Sequence, residues 1–162
     1  DMFLFSFYTR GMSFIDMAYL KKSDLKNGTI TYRRRKTGQQ LTVKWEKCME
    51  DIIAKYGENT ATRYLLPIIT NPCSDERTQY RNAICRINVA LKEVAGLAGL
   101  NIPLTMHVAR HCWASVAKSK NIPLSVISEG MGHDSEETTR IYLASLDTSV
   151  VDKANSLILK DF

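Results

Sequence analysis

The most informative stretch of the sequence runs over residues 105–142 and reads TMHVARHCWASVAKSKNIPLSVISEGMGHDSEETTRIY. In a helix, His107 and Arg110 lie about one turn apart, so their side chains share a face. An imidazole and a guanidinium presented together can transfer a proton and bind the same phosphate. Further along, His133 follows a glycine in a loop, and Tyr142 lies on the helix that this loop opens. The stretch therefore indicates a site that acts on a phosphate.

Each of these residues has a plainer explanation when it stands alone. A single tyrosine on a helix, such as Tyr142, most often packs in a core or an interface. A single histidine, such as His107, most often has a structural hydrogen-bonding role. The pairing of His107 with Arg110 and the spacing to Tyr142 favour the chemical interpretation. His111 is adjacent but is expected to point elsewhere on the helix, so we interpret it as structural.

Helical periodicity continues outward from this stretch. Apolar residues at helical spacing predict helices at 45–56, 75–97, 105–119, 123–130, 135–145 and 148–160. The helix at 75–97 is expected to bury Tyr80, Ile84, Ile87, Leu91 and Val94. Near the start of the chain, one helix ends close to Gly11, a favoured residue after a helix C-terminus. Another helix begins at Ser13, whose spacing to Asp16 matches a capping box before an apolar run.

A small sheet interrupts the helices. Residues 29–35 and 40–44 read as a hairpin around a turn at 36–39, and a third short strand is expected at 64–66. No repeat or interdomain linker divides the chain, and its 162 residues suit one domain with a core of its own. The fold class is therefore α+β and predominantly helical, with an antiparallel sheet of two to three strands.

Basic side chains are concentrated in one part of the sequence. The whole chain has 22 Lys plus Arg against 17 Asp plus Glu, a net charge of +5. Residues 21–47 include only the acids Asp24 and Glu46 beside Lys21, Lys22, Lys26, Arg33, Arg34, Arg35, Lys36, Lys44 and Lys47. Such a segment suggests a polyanion partner, because phosphates neutralised by cations release their counterions. A solvated charged face explains the charge alone equally well.

Several classes of protein are excluded by composition. With 44% hydrophobic and 24% charged residues, the chain is not disordered. The four cysteines are irregularly spaced and suggest neither a zinc site nor a disulfide framework. No apolar run is long enough to span a bilayer, and the first residues lack the features of a signal peptide. We expect residues 1–162 to be a single domain from a longer protein, without that protein's N-terminal part.

Together these motifs resemble the signature of the tyrosine recombinases of the phage integrase family. The resemblance rests on His107-x-x-Arg110, Gly132-His133 and Tyr142, in this order and at these distances, and it extends through nearly the whole chain. Residues 16–25 look like the family's second helix and the turn into its sheet. Lys36 lies in the hairpin turn where the family carries a catalytic lysine. Within the family, the chain resembles integrases of conjugative and mobilisable bacterial elements. The resemblance implies that residues 1–162 are a single catalytic domain of a longer protein, without that protein's N-terminal DNA-binding part.

The resemblance implies a mechanism without metal, cofactor or ATP. Tyr142 would attack a DNA phosphodiester to give a 3′-phosphotyrosyl intermediate and a free 5′-hydroxyl, which conserves the bond for resealing. Arg110 would hold the nonbridging oxygens. Lys36 would protonate the leaving oxygen, His107 would assist proton transfer at the nucleophile, and His133 would donate a hydrogen bond to the phosphate.

One position departs from the family pattern. Ser13 stands where the family normally carries its first catalytic arginine, and Ser13 itself is more simply a helix cap. We favour Arg10 as the substitute, reaching the same phosphate from a different backbone position. Two alternatives stay open: an arginine of the sheet (Arg33, Arg34 or Arg35) serves instead, or the site works with fewer phosphate contacts.

The expected partners are double-stranded DNA and other recombinase protomers. Residues expected to contact DNA are Ser13, Arg33, Arg34, Arg35, Lys36 and Arg140. The apolar stripe at 150–158 either packs on its own domain or docks on a neighbouring protomer, and the isolated domain is expected to be mainly monomeric. The protein is expected in the bacterial cytoplasm, associated with the nucleoid. Competing functions are a non-catalytic DNA-binding regulatory domain and a type IB topoisomerase-like relaxing enzyme.

Overall fold

The computed structural model describes residues 1–57 and 61–144. In these ranges the helices are α1 (Met2–Tyr8), α2 (Phe14–Ala18), α3 (Lys47–Tyr56), α4 (Glu76–Leu97), α5 (Met106–Ser119), α6 (Leu124–Met131) and α7 (Glu136–Ala144). The strands are β1 (Leu25–Lys26), β2 (Thr29–Arg33) and β3 (Gln40–Lys44), and a short 3₁₀ helix spans Lys22–Asp24. The prediction of a predominantly helical α+β fold is confirmed. The helix predicted at 148–160, with its apolar stripe, lies outside the described residues.

The strands form one antiparallel sheet in the order β1-β2-β3. Ile30 pairs with Val43 at its centre, and both side chains are buried. Besides the predicted hairpin, the sheet contains one more strand, β1, which pairs with β2. A tight turn at Asn27-Gly28 joins β1 to β2, and both turn residues have the positive φ that such hairpins require. The prediction of a strand at 64–66 is wrong. Tyr64 makes a single bridge to Lys21, and the proline that follows at 67 lacks an N–H to extend a ladder.

The main core lies between the sheet and helices α1 to α4. Phe5, Met17, Ile30 and Leu66 are almost fully buried there. Of the predicted buried face of α4, Tyr80, Ile84, Ile87 and Leu91 pack against this core. Val94 does not, since its side chain is 50% exposed. On the last turns of α4 Ala95 is still buried, but the side that carries Val94 and Leu97 faces solvent, and Leu97 is 91% exposed.

A second, smaller core joins α5, α6 and α7. Ala114, Ala117, Ile127, Met131 and Leu143 are buried in it, and Tyr142 packs against its edge. The α6–α7 loop begins at Gly132, whose φ of 65° ends α6 in the left-handed conformation. This core therefore holds the end of α6, the loop and the start of α7 in place beside α5. None of the described helices is both long and apolar enough to cross a membrane.

Candidate active site

A cleft of about 620 Å³ opens between the start of α2, the β2–β3 turn, α5 and the α6–α7 loop. Its walls include seven of the residues named from the sequence: Ser13, Arg34, Lys36, His107, Arg110, His133 and Tyr142. They come from parts of the chain that are far apart in sequence, and the two core clusters bring them together. The other predicted residues, Arg10, Arg33, Arg35 and Arg140, are not among those that line the cleft.

Arg110 is buried at the base of the cleft, where its guanidinium donates to two main-chain carbonyls. Its Nη1 donates to the oxygen of Gly11 at 2.9 Å, and its Nη2 donates to the oxygen of Met131 at 2.6 Å. The chain passes so close at Gly11 that a Cβ atom there would stand 2.7 Å from the Arg110 Cγ. Burial, together with the neighbouring charge of Arg34, lowers the pKa of Arg110. The carbonyls orient the guanidinium but do not neutralise it.

Arg34 is a second buried guanidinium in the same cleft. It follows β2 and points inward, in alternation with the exposed Arg33 and Arg35. Its Nη1 donates to the carbonyl oxygen of Gly132. The two arginines therefore meet the C-terminal end of α6, where free carbonyls carry partial negative charge that favours cations.

Asp16 ties the start of α2 to the β2–β3 turn. It is buried, and one carboxylate oxygen accepts from the Ser13 hydroxyl at 2.6 Å. The other oxygen accepts from the backbone N–H of Arg35 at 2.9 Å. The Ser13 hydroxyl also accepts from the Asp16 N–H at 3.3 Å, which confirms the predicted helix cap. Arg34 and Lys36, on either side of the anchored residue, are held at the cleft by this carboxylate.

His133 lies beside the tyrosine on the α6–α7 side of the cleft. Its backbone N–H donates to the oxygen of Ser128 at 3.0 Å, and its Nδ1 is 2.7 Å from the Thr139 Oγ1. Its ring meets the Tyr142 ring edge to face, with 5.7 Å between centroids. Burial, followed by the charges of Arg110 and Arg34, lowers the pKa of His133 to about 4. The imidazole is therefore neutral at neutral pH.

Tyr142 is half-buried among aromatic rings. Burial raises the pKa of its hydroxyl to about 12, although the nearby Arg110 acts in the opposite direction. The ring of His111 stacks on it with centroids 4.5 Å apart and planes 3° from parallel. His107 in turn meets His111 edge to face at 4.6 Å. Burial, then Arg110 and Lys36, lowers the pKa of His107.

The expectation that His111 points elsewhere is wrong. His107 and His111 are separated by one helical turn, so they share a face of α5, and the spacing in the sequence contained this signal. That His111 would meet Tyr142 depends on how α7 packs on α5, which the sequence pattern does not define.

The remaining arginines have other contacts. Arg10 has a positive φ of 62°, and its guanidinium donates to the oxygen of Thr42 on β3 at 3.4 Å. Arg33 donates to the oxygen of Gly38 at 2.6 Å, and the Arg35 guanidinium lies 4.0 Å over the ring of Tyr19. Arg140 lies 3.7 Å from Glu137 and lines an apolar groove near Ile127 and Leu143. Arg10 is thus not among the residues that line the cleft, and its guanidinium contacts β3 instead.

Comparisons with known proteins agree with this architecture. XerA recombinase superposes with a TM-score of 0.69 at 21% identity, over 96% of this chain and 56% of that one. XerH site-specific recombinase, in a post-cleavage complex with a palindromic difH substrate, gives 0.67 at 20% identity, over 96% and 44%. A lambda integrase dimer bound to a COC′ core site gives 0.58 at 17% identity, over 87% and 50%. The chain thus spans about half the length of these solved proteins. Compared by sequence with curated proteins, it has no match.

The fold is that of a tyrosine recombinase catalytic domain. Residues 2–149 match the family model of the phage integrase family. The chain therefore belongs to the phage integrase family, whose members are tyrosine recombinases that break and rejoin DNA.

Proposed function

We propose that this chain carries the catalytic centre of a site-specific DNA recombinase in which Tyr142 is the nucleophile. The observation that carries the proposal is the convergence of two buried guanidiniums, from Arg34 and Arg110, with Tyr142 in one cleft. Cations held in a partly water-excluded site stabilise the charge that develops on a phosphate during attack.

In the proposed cleavage step the Tyr142 oxygen attacks the phosphorus of a DNA phosphodiester. The bond from phosphorus to the 5′-oxygen breaks, and that oxygen takes a proton from Lys36. Because the pKa of Tyr142 is raised to about 12, its hydroxyl needs help to lose a proton, and His107 is the base that we assign to it. The 3′-phosphotyrosyl bond conserves the energy of the diester, so an incoming 5′-hydroxyl reseals the strand without ATP or a metal ion.

Arg34 is the arginine that we propose for the role left empty at Ser13. Its side chain is buried in the wall of the cleft, and Arg34 and Arg110 bind adjacent carbonyls at the end of α6. Arg10, favoured from the sequence, directs its guanidinium to the carbonyl of Thr42 instead. Of the three sheet arginines considered above, Arg34 is the one that lines the cleft.

The proposal is tested by trapping the covalent adduct on a suicide substrate that contains the cognate site. Tyr142→Phe should abolish the adduct, and Arg34→Ala should slow its formation by about 100-fold or more, the usual loss when one stabilising donor is removed. Arg10→Ala is the matched control that removes an arginine outside the cleft, and it should cleave within a few-fold of the native protein. If Arg10→Ala loses cleavage while Arg34→Ala cleaves normally, Arg10 and not Arg34 takes the role left empty at Ser13. No adduct with a well-bound site would favour a non-catalytic DNA-binding domain.

Double-stranded DNA and further recombinase protomers are the partners that we propose. The XerH structure contains its difH substrate, and the lambda integrase structure is a dimer on its core site. In this chain, Arg33, Arg35 and Lys36 are exposed on the hairpin beside the cleft, where they can contact the DNA backbone.

A further inference from the structure

Thr139 is fully buried on α7, one turn before Tyr142, and its hydroxyl faces the His133 ring. Its Oγ1 lies 2.7 Å from the Nδ1 of His133, and its side chain is 0% exposed. The backbone of His133 is fixed separately by its bond to Ser128 at the end of α6. The ring is therefore held from α6 through the main chain and from α7 through the threonine hydroxyl.

A neutral His133 ring carries its single N–H proton on either Nδ1 or Nε2. At neutral pH the imidazole is neutral, because burial and the neighbouring guanidiniums disfavour a further positive charge. A neutral imidazole has one N–H donor and one acceptor, and the partner of one nitrogen determines which nitrogen carries the proton. If Nδ1 carried it, Nε2 would present a lone pair toward an anionic phosphate in the cleft, and the two would repel.

We propose that Thr139 is a positioning residue that donates its hydroxyl proton to Nδ1 of His133, so that Nε2 carries the N–H that binds the substrate phosphate. This inference rests on the proposed function, because it assigns a phosphate to the cleft. Since Thr139 and Tyr142 lie on the same helix, the hydroxyl also links the orientation of the histidine to the seating of the nucleophile helix.

The first test determines the tautomer of His133 from the ¹⁵N NMR chemical shifts of its ring nitrogens, in the unmodified chain without DNA. This chain has three histidines, so His133→Gln assigns the signal. We expect Nδ1 of His133 to show the shift of an unprotonated nitrogen and Nε2 that of an N–H. Thr139→Ser should keep this pattern, and Thr139→Val, which retains the shape without the hydroxyl, should lose it. A native His133 protonated on Nδ1 would overturn the proposal, whatever the variants do.

The second test measures single-turnover cleavage of the suicide substrate. Loss of the partner that orients a metal-bound histidine costs about 10-fold to 100-fold, and by analogy we expect a loss of this size in Thr139→Val. Thr139→Ser should recover to within a few-fold of the native rate. If Thr139→Val cleaves normally while His133→Gln is impaired, the role of Thr139 is wrong but the proposed function stands. If Tyr142→Phe still forms the adduct, the proposed function fails and this inference fails with it.

Discussion

Gly132 combines two constraints at one residue, namely a backbone conformation and a close approach. Its φ is 65°, and a Cβ atom there would lie 2.9 Å from the Leu41 Cδ1 and 3.0 Å from the Arg34 Cδ. Residues other than glycine cost about 1–2 kcal/mol in the left-handed region. The methyl group of alanine would in addition press on the side chains of Leu41 and Arg34, and both would have to shift.

Gly132→Ala should therefore lower the free energy of unfolding by at least about 1 kcal/mol, and it should slow cleavage because Arg34 shifts. Gly28→Ala is the matched control, because Gly28 has a similar φ of 70° but nothing within 4 Å of the added carbon. It should lose similar stability and retain cleavage. Urea denaturation and the adduct assay measure the two effects. Equal loss of cleavage in both variants would show that backbone strain alone is responsible.

The lowered pKa of His133 predicts how stability depends on pH. Its pKa of about 4 in the folded protein lies below the ordinary value for histidine, about 6.5. The unfolded chain thus binds the proton more readily, so the stabilisation is complete above about pH 6.5 and is lost as the pH falls toward 4. Melting temperatures measured over this range should fall less steeply for His133→Gln than for the native protein. If the melting temperatures of the native protein and His133→Gln change in parallel with pH, the pKa of His133 is not lowered by folding. No loss of cleavage between pH 8 and pH 6 is expected from His133 itself.

For individual residues, the sequence identified most of the polar side chains that line the cleft. His107, Arg110, His133 and Tyr142 could be predicted because their spacing is local to three helices, and Lys36 because it lies in a recognisable turn. The position of Arg34 in the wall of the cleft could not be predicted in the same way. It depends on where the end of α6 lies relative to the sheet, a contact between residues far apart in sequence.

Between helices, the His111 ring of α5 stacks on the Tyr142 ring of α7. Aromatic pairs contribute about 0.5–1.5 kcal/mol beyond the area that they bury. If the stack aligns Tyr142 for attack, His111→Ala should slow cleavage by about 2-fold to 10-fold, since about 1.4 kcal/mol corresponds to tenfold in rate. His111→Phe preserves a flat ring and should retain most activity. Both variants should bind DNA like the native protein in a gel-shift assay.

If His111→Phe cleaves as slowly as His111→Ala, the stacking of the ring is not what supports cleavage. The imidazole nitrogens, and not the stacked ring, would then be the part of His111 that matters.

Helices were easier to predict than the sheet. Apolar spacing placed α3 to α7 correctly to within one or two residues, because each helix is amphipathic by itself. The third strand was misplaced because Leu25–Lys26 is too short to show alternation. It is specified by the turn at Asn27-Gly28 and not by a pattern of its own. The exposure of Val94 was also missed, because periodicity does not show where a core ends along a helix.

For the whole molecule, the net charge of +5 and the basic hairpin predict DNA binding dominated by phosphate contacts. The logarithm of the binding constant should fall linearly with the logarithm of salt, by about 0.9 for each phosphate neutralised. We expect these 162 residues alone to bind weakly and to sediment mainly as a monomer without DNA. Arg33→Ala should reduce the slope by about one if that side chain contacts a phosphate. Fluorescence anisotropy across salt concentrations measures the slope, and tight binding insensitive to salt would contradict this expectation.

The carbonyls that hold Arg34 and Arg110 have a consequence for how such a protein can diverge. A carboxylate partner would have to be preserved by selection at a second position, and its loss would leave a buried cation unpaired. A main-chain oxygen belongs to every amino acid, so Met131 can be exchanged for another residue without removing the acceptor that it supplies. What must be inherited is the path of the backbone, which depends most on Gly11 and Gly132. A cleft built in this way can persist while most of the surrounding sequence drifts.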